Sequence, residues 1–318
     1  MKLKIDFSNS ILFLLTIFGL ILFVGCQDNV IDPTEDANSV EKQEVLNAID
    51  SDSLLISFEP NYNEDGVLNY LQKTEAAIKP FKVWHRMKLI DRNVDISFNE
   101  DTAYAHITNT FEGTLFIASS YDPSAVKPDT VIKKSFTSVV TRNVVLVKIA
   151  NTENVRKNWV VTEVSLPQGG TQSPNIEIKK VTVTFPNGET LEITSPNDYY
   201  LVRKWGWWWR WHNVPVVQRD REVTIRVEVT SAYEENDFVS LTFGADRLGA
   251  HRSKKLFELV SSTPNGSLYD KVYEQTFVSN FFPGFFHAIV NLMPQQVIKE
   301  DSTPVELESW GIPYFVKL

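Results

Sequence analysis

Cysteine is almost absent from this chain of 318 residues, in which Cys26 is the only one. Without a second cysteine the chain cannot form an internal disulfide, so the stability of the fold has to come from its core. A chain of about 290 residues beyond the N-terminal region is long enough to bury one or two such cores.

Glycine is also scarce, with 13 residues in the chain, and none of them cluster as a phosphate- or nucleotide-binding loop needs. The sequence has no phosphate-binding glycine loop, no dinucleotide-binding fingerprint and no Gly-x-Ser-x-Gly nucleophile motif. Paired carboxylates for glycoside cleavage leave no pattern that a β-rich sequence would reveal. We therefore predict that the protein is not an enzyme and uses no cofactor, with a carbohydrate-active hydrolase as the alternative.

Metal-ligand patterns are missing as well. No two of the five histidines have the spacing of a zinc-binding helix, and there is no cysteine partner for them: His85, His106, His212, His251 and His287. The acidic turns lack the regular ligand spacing of a calcium loop. We predict no metal site.

Long apolar runs are limited to one, from Ile11 to Val24. At about 14 residues it is shorter than the roughly 20 that a membrane-spanning helix needs. Lys2 and Lys4 precede it, and a short cationic head before an apolar run is typical of an export signal. The sole cysteine follows the end of this run.

The segment Leu22-Phe23-Val24-Gly25-Cys26 resembles the lipobox of bacterial lipoproteins, although Phe23 stands where leucine is usual. The resemblance implies that Cys26 becomes the lipidated N-terminus, with palmitate among its acyl chains, because several acyl chains together bind a membrane stably. Gln27 follows in place of the aspartate associated with inner-membrane retention. This implies an outer-membrane location, facing the periplasm or the cell surface. The alternative is an ordinary secretory signal with a cysteine near its cut.

The charge of the chain argues against nucleic acid as a partner. The net charge is -9, and removal of the signal, which carries two lysines and one aspartate, changes it to about -10. The expected partners are the membrane, through the N-terminal lipid, and a glycan or an envelope protein.

Three consecutive segments are predicted in the N-terminal half of the chain. Residues 1–25 form the predicted signal peptide, and residues 26–52 form an acidic tether that contains a short helix from Ser39 to Ile49. The tether is either a plain spacer or a signal for surface sorting. Residues 53–170 form the first predicted domain.

This first domain is predicted to be an α+β layer, with a helix on one face of a curved antiparallel sheet. Apolar residues over positions 64–78 indicate the helix, and Pro80 ends it. Alternating patterns predict strands at 94–98, 104–117, 136–149 and 159–166. The order of elements resembles cystatin-like or nuclear-transport-factor-like cones.

Residues 167–174, rich in Gly, Pro, Gln and Ser, are the predicted domain boundary. Beyond them, residues 175–318 carry a series of short predicted strands with turn signals between them, including an Asn187-Gly188 hairpin. This pattern resembles an immunoglobulin-like antiparallel β-sandwich without the paired cysteines of antibody domains. Ile312 to Val316 is the predicted closing strand, with Pro313 at its start or on an edge. The fold class is therefore mainly β.

The most unusual local composition is a tryptophan run, Lys204-Trp205-Gly206-Trp207-Trp208-Trp209-Arg210-Trp211. Such a run either packs in the interior or is exposed for a partner. Three interpretations remain open: a packed cap or domain seam, a glycan- or protein-binding loop in which Arg210 adds polar contacts, and a membrane-interface segment. The candidate ligand-binding residues are Trp205, Trp207, Trp208, Trp209, Arg210 and Trp211. The aromatic residues of a second segment, from Phe281 to Phe286, are predicted to pack in the core or a domain seam.

Overall fold

The computed structural model describes residues 33–52, 64–69, 78–152, 158–204, 210–245 and 252–318. The chain divides into two compact units, Met1–Lys42 and Gln43–Leu318. Residues 33–42 of the first unit begin helix α1, Pro33–Ser51. The predicted signal peptide and Cys26 lie outside the described residues. In the described part of the chain, no helix is long and apolar enough to cross a bilayer.

Most described residues belong to β-strands, as the sequence predicted. In chain order these strands are β1 Glu64–Asn69, β2 Lys79–Asn99, β3 Thr102–Ser120, β4 Thr130–Lys148, β5 Trp159–Ser165, β6 Gln168–Gly170, β7 Ile176–Thr184, β8 Thr190–Ile193, β9 Tyr200–Lys204, β10 Arg210–His212, β11 Val216–Gln218, β12 Glu222–Ser231, β13 Asp237–Ala245, β14 Ser253–Leu256, β15 Glu258–Asn265, β16 Leu268–Val278, β17 Gly284–Pro294 and β18 Glu308–Lys317. A 3₁₀ turn at Pro196–Asp198 precedes β9, and helix α2, Gln295–Lys299, follows β17.

The described strands form two sheets. The larger has the order β1-β2-β3-β4-β6-β18-β17-β13-β14, with β5 added to β4, β9 to β5, β10 to β9 and β11 to β18. The smaller has the order β15-β16-β12-β7-β8. The β11–β18 pair is parallel, and the other described pairs are antiparallel. A mainly β, antiparallel fold that begins with a helix is therefore confirmed.

The long strands form because their side chains alternate between a buried and an exposed face. In β3, Ala103, Ala105 and Ile107 are buried, whereas Tyr104 and His106 face outwards. This is the period-two pattern from which the strands were predicted.

Two apolar cores flank strands β13 and β17. Phe238, Ile289 and Met293 belong to the core beneath β2–β4, while the intervening Val239 and Val290 belong to the core shared with the smaller sheet. Because both faces of β17 are covered, its sequence is almost continuously apolar rather than alternating.

Helix α1 confirms the helix predicted from Ser39 to Ile49 and extends beyond it. Within the second unit, Val45, Ala48 and Ile49 are buried in the core shared with the smaller sheet. These three residues recur on one helical face, which explains why the end of an otherwise acidic segment is ordered.

The helix predicted over 64–78 is wrong at its start. Residues Glu64–Asn69 form strand β1, whose Leu68 and Asn69 pair with Val83 and Lys82 of β2. Pairing with the free edge of a long strand outweighs a weak local helical pattern. Residues 70–77 lie outside the described residues.

The predicted hairpin at Asn187-Gly188 is confirmed. The amide of Phe185 donates to the carbonyl of Glu189 at 2.9 Å, and Gly188 has a φ of 83°. A positive φ at this position explains the glycine.

Pro313 lies within strand β18 rather than at its start. The amides of Gly311 and Phe315, on the side away from β17, donate to Pro167 and Pro215. The ring nitrogen of Pro313 points the same way, into the gap between β6 and β11, where no ladder hydrogen bond is lost.

Strand β6 lies within the predicted domain boundary at 167–174. Gly170 pairs with Val139 of β4 on one side and with Glu308 of β18 on the other. The larger sheet therefore contains strands from both sides of the boundary, and the division into 53–170 and 175–318 stays a prediction.

Candidate functional site

The tryptophan run begins and ends on two paired strands. Strands β9 and β10 are antiparallel, with Lys204 opposite Arg210 and Val202 opposite His212. Residues 205–209 connect them in sequence; these residues, with Trp205, Trp207, Trp208 and Trp209, lie outside the described residues, as does the side chain of Arg210. We call β9, β10 and the residues between them the tryptophan hairpin.

Trp211 packs inwards at the base of this hairpin. Its indole is partly buried against the core shared with the smaller sheet. The guanidinium carbon of Arg203, its cross-strand neighbour, lies 5.2 Å from the centre of the indole ring. This cation–π contact makes Trp211 part of the hairpin's support.

Arg203 also links the hairpin to the end of helix α1. Its Nη1 lies 2.9 Å from Oδ2 of Asp52, and each of the two side chains is only 10% exposed. The same nitrogen donates to the carbonyl of Val161 in β5 at 3.1 Å. These contacts order the Arg203 side chain and the hairpin arm before a ligand arrives. Less conformational entropy therefore has to be lost on binding.

A cleft of about 790 Å³ adjoins the hairpin, between the β7–β8 turn and the segment that leads into β11. Phe185, Leu191, Tyr199 and Val214 supply much of its apolar lining. Aromatic and aliphatic walls with a few polar groups are typical of small-molecule sites.

The cleft and the hairpin share a hydrogen-bonded corner. The hydroxyl of Tyr199 donates to the carbonyl of Asn213 at 2.8 Å, and Nδ2 of Asn213 donates to the carbonyl of Tyr200 at 3.0 Å. Asn213 has a φ of 64°, a conformation that asparagine adopts more readily than most residues. Burial raises the pKa of Tyr199, so its hydroxyl stays protonated at neutral pH.

Two cations line the same cleft. The side chains of Arg221 and Lys317 make no ion pair or hydrogen bond with any residue that the structure describes. They share the cleft with the carboxylate of Glu189. The cleft can therefore offer an apolar wall, hydrogen-bond donors and positive charge to one ligand.

A second cleft, of about 370 Å³, contains two carboxyl groups, Glu177 and Glu308. Burial raises the pKa of Glu308 to about 7, and the negative charge of Glu177 adds to the effect. The Glu308 oxygens accept hydrogen bonds from the amide of Ile178 at 2.7 Å and from Nε1 of Trp310 at 2.9 Å. A carboxyl that holds its proton near neutral pH beside a second carboxyl can act in acid–base chemistry.

The histidines that the structure describes are dispersed. His85 and His287 are buried, the ring of His85 lying edge-on to Phe136, and Nδ1 of His106 lies 2.7 Å from Oδ1 of Asn143. His212 lies in β10, and His251 is outside the described residues. Within the described ranges, no three His, Cys, Asp or Glu side chains are grouped so that they could hold a metal ion.

The prediction that the aromatics from Phe281 to Phe286 pack in the interior is wrong for Phe281, Phe282 and Phe285. These three are 60%, 72% and 39% exposed, whereas Phe286 is buried. Phe281 and Phe282 lie in the turn before β17, where the chain leaves both cores. The guanidinium of Arg219 lies 5.4 Å from the ring of Phe281.

Two features were not predicted from the sequence, Glu308 and a basic, aromatic face of strands β2–β4. Neither has a local motif, because the burial of Glu308 depends on contacts between the two sheets and the face depends on the register of three strands. No protein-family model matches the chain, and a search of curated proteins found no significant match.

Proposed function

We propose that the protein is a lipoprotein of the bacterial cell envelope, anchored to the outer membrane through lipid on Cys26, with a non-catalytic binding or structural role. Its folded body follows an acidic N-terminal segment. The support is the cationic head, the short apolar run and the single cysteine that follows it.

We propose the tryptophan hairpin and its adjoining cleft as the surface that binds a glycan or an envelope protein. The observation that carries this proposal is the buried Arg203–Asp52 pair at the hairpin's base. Holding both arms of a tryptophan-rich connection in place lowers the entropy that binding has to remove. Indole rings stack on the apolar faces of sugars or on protein side chains.

A glycan array tests this proposal. Wild-type protein is compared with a Trp207→Ala/Trp208→Ala/Trp209→Ala variant and with a Phe281→Ala/Phe282→Ala control, which removes exposed aromatics elsewhere. We expect the hairpin variant to lose the array signal and the control to keep it. Equal signals for wild type and hairpin variant would contradict binding through the hairpin.

Incorporation of labelled palmitate tests the anchor. We expect the wild-type protein to carry the label in the membrane fraction and a Cys26→Ser variant to lose it. An unlabelled wild-type protein in the soluble fraction would favour the ordinary secretory signal.

The hydrolase alternative is favoured by one observation, the two carboxyl groups in the second cleft. Glu308 as acid and Glu177 as its partner would supply the two carboxyl groups that glycoside cleavage uses. A Glu308→Gln variant would then lose hydrolysis of a polysaccharide that the wild type degrades. If the wild type degrades none of a broad set of polysaccharides, the non-catalytic role is favoured.

We further propose that residues 175–318 form an immunoglobulin-like sandwich that follows a separate domain at 53–170. The support is that β7, β8, β12 and β16 face strands of the larger sheet across one apolar core. Native-state hydrogen exchange tests the division. Two parts with different opening free energies would support it, and a common value would contradict it.

A further inference from the structure

The outer face of strands β2–β4 carries a cross-strand row of aromatic and basic residues. Trp84 of β2 pairs in register with Phe116 of β3, which pairs with Lys133 of β4. The rings of Trp84 and Phe116 are stacked, with centroids 5.2 Å apart and planes 6° from parallel. The alternating residues Val83 and Ile117 point to the opposite face, into the core.

Basic residues surround this ring pair. Lys82, Arg86 and Lys88 occupy the same face of β2 as Trp84, because the register is regular between the bulges at Pro80/Lys82 and Leu89/Asp91. All three are exposed, as is Lys133.

Two of these cations contact the aromatic pair. The guanidinium of Arg86 lies 6.0 Å from the ring centre of Phe116, and the ammonium of Lys133 lies 5.9 Å from it. Contacts of this length are within the range of cation–π attraction. They hold positive charge beside the rings instead of letting it swing freely into solvent.

The charge of this face is unusual for the molecule. Lys82, Lys88 and Lys133 make no ion pair with any residue that the structure describes. One carboxylate, Glu112, lies opposite Lys88 in the register. Four cations against one carboxylate form a basic surface in a chain of net charge -9. By contrast, Lys134 points inwards, where its ammonium donates to the carbonyls of Val297 and Thr303.

The spacing of the cations indicates what they fit. Residues two apart on a strand are separated by about 6.7 Å, so Lys82 to Lys88 spans roughly 20 Å. The charges are therefore spread along a line and do not converge on one small anion. A nucleic acid carries a phosphate about every 3.4 Å along each strand, a denser charge than this row can match. A polysaccharide whose sugars carry carboxylates has its negative charges spaced more widely than a nucleic acid does.

We propose that this face binds a linear acidic polysaccharide, of the class that contains uronic acids. Lys82, Arg86 and Lys133 pair with its carboxylates, and the Trp84–Phe116 pair contacts the apolar faces of its sugar rings. The surface is distinct from the tryptophan hairpin, so either can fail without the other.

Binding to polygalacturonate, with neutral dextran as the uncharged probe, tests the proposal. The protein used is the chain from Gln27 onwards; every buried hydrophobic residue among the described ones lies at Val45 or beyond, so the core is retained. The test variant is Lys82→Glu/Arg86→Glu/Lys133→Glu. The matched control, Lys127→Glu/Lys179→Glu/Arg226→Glu, changes the net charge equally at exposed positions elsewhere.

We expect the wild type and the control to bind polygalacturonate with similar affinity and the test variant to bind at least tenfold more weakly. The affinity of the wild type should fall as salt rises, because counterions are released on binding. A Trp84→Phe variant, which keeps a ring in the stack, should weaken binding without loss of cooperative unfolding.

Three results would overturn the proposal. The first is no binding of polygalacturonate by the wild type. The second is equal loss in the test and control variants, which would show a nonspecific charge effect. The third is tighter binding of a single-stranded oligonucleotide than of polygalacturonate, which would assign the face to nucleic acid. The Trp207→Ala/Trp208→Ala/Trp209→Ala variant should keep full polygalacturonate binding, and this separates the two proposals.

Discussion

Arg203 and Asp52 form an ion pair between residues 151 positions apart in sequence, with Nη1 and Oδ2 separated by 2.9 Å. Asp52 directly follows helix α1, and Arg203 lies in the first arm of the tryptophan hairpin. The pair therefore fixes the start of the folded body to the proposed binding surface.

Replacement of Asp52 by asparagine should destabilise the protein by about 3 kcal/mol. The substitution removes the negative charge of Asp52 beside the buried Arg203 guanidinium, which costs more than the pair itself contributes. Urea denaturation measures the change in the free energy of unfolding. The control is Asp50→Asn, whose partner Arg92 lies in an exposed pair and should matter much less. Equal effects of the two substitutions would contradict a structural role for the buried pair.

Stability should fall as pH rises through the range in which Glu308 titrates. Its pKa is about 7 in the folded protein, against an ordinary value near 4.5, so the native state holds a proton that the unfolded chain releases. The free energy of unfolding should therefore decrease by about 3 kcal/mol between pH 4.5 and 7 and then level off. Urea denaturation at pH 5 and pH 8 should show this decrease in the wild type and a smaller one in Glu308→Gln. Parallel profiles would exclude Glu308 as the source.

The exposed aromatics of the turn before β17 should be dispensable for folding. A Phe281→Ser/Phe282→Ser variant should change the free energy of unfolding by less than about 0.5 kcal/mol. Phe277, buried at 3% exposure, is the matched comparison, and Phe277→Ala should cost about 3 to 5 kcal/mol. A large decrease in the free energy of unfolding of the double variant would contradict their position outside the core.

Strand β6 should tolerate no side chain at Gly169. A Cβ atom there would lie 2.2 Å from the carbonyl oxygen of Val139 and 2.6 Å from the Cα of Val140. We expect Gly169→Ala to destabilise the protein by about 2 kcal/mol, since the backbone of β4 cannot move aside easily. Gly266→Asn serves as control, because Gly266 has a φ of 64° and open space around its Cβ position. Similar thermal midpoints for the two variants would contradict the close approach.

The strands that sequence predicted well are those with one clearly apolar face. In β2, Val94, Ile96 and Phe98 alternate with polar residues, and this end of the strand was found. The first part of the same strand was missed because His85 points into the core while Trp84 points outwards, which inverts the hydrophobic pattern. The residues that β2 contributes to the proposed polysaccharide surface lie on this missed part.

The arms of the tryptophan hairpin, by contrast, depend on contacts that no local pattern contains. The position of Arg203 is set by an aspartate in another element, and that of Trp211 by the core behind it. The composition of the tryptophan run is unusual, but composition alone could not show that the Trp211 side chain packs inwards and supports the hairpin. Pairing at long range also explains why residues 64–69 form a strand despite their helical pattern.

Strand β17 has a consequence for the chain before it folds. Its run from Phe285 to Leu292 contains no Lys, Arg, Asp or Glu and is rich in β-forming residues, the composition from which intermolecular sheets grow. In the native protein this run is buried from Phe286 onwards, but a nascent chain would expose it. Productive folding therefore competes with self-association at this segment, and a charged substitution there would improve solubility of the unfolded chain at the expense of the native state.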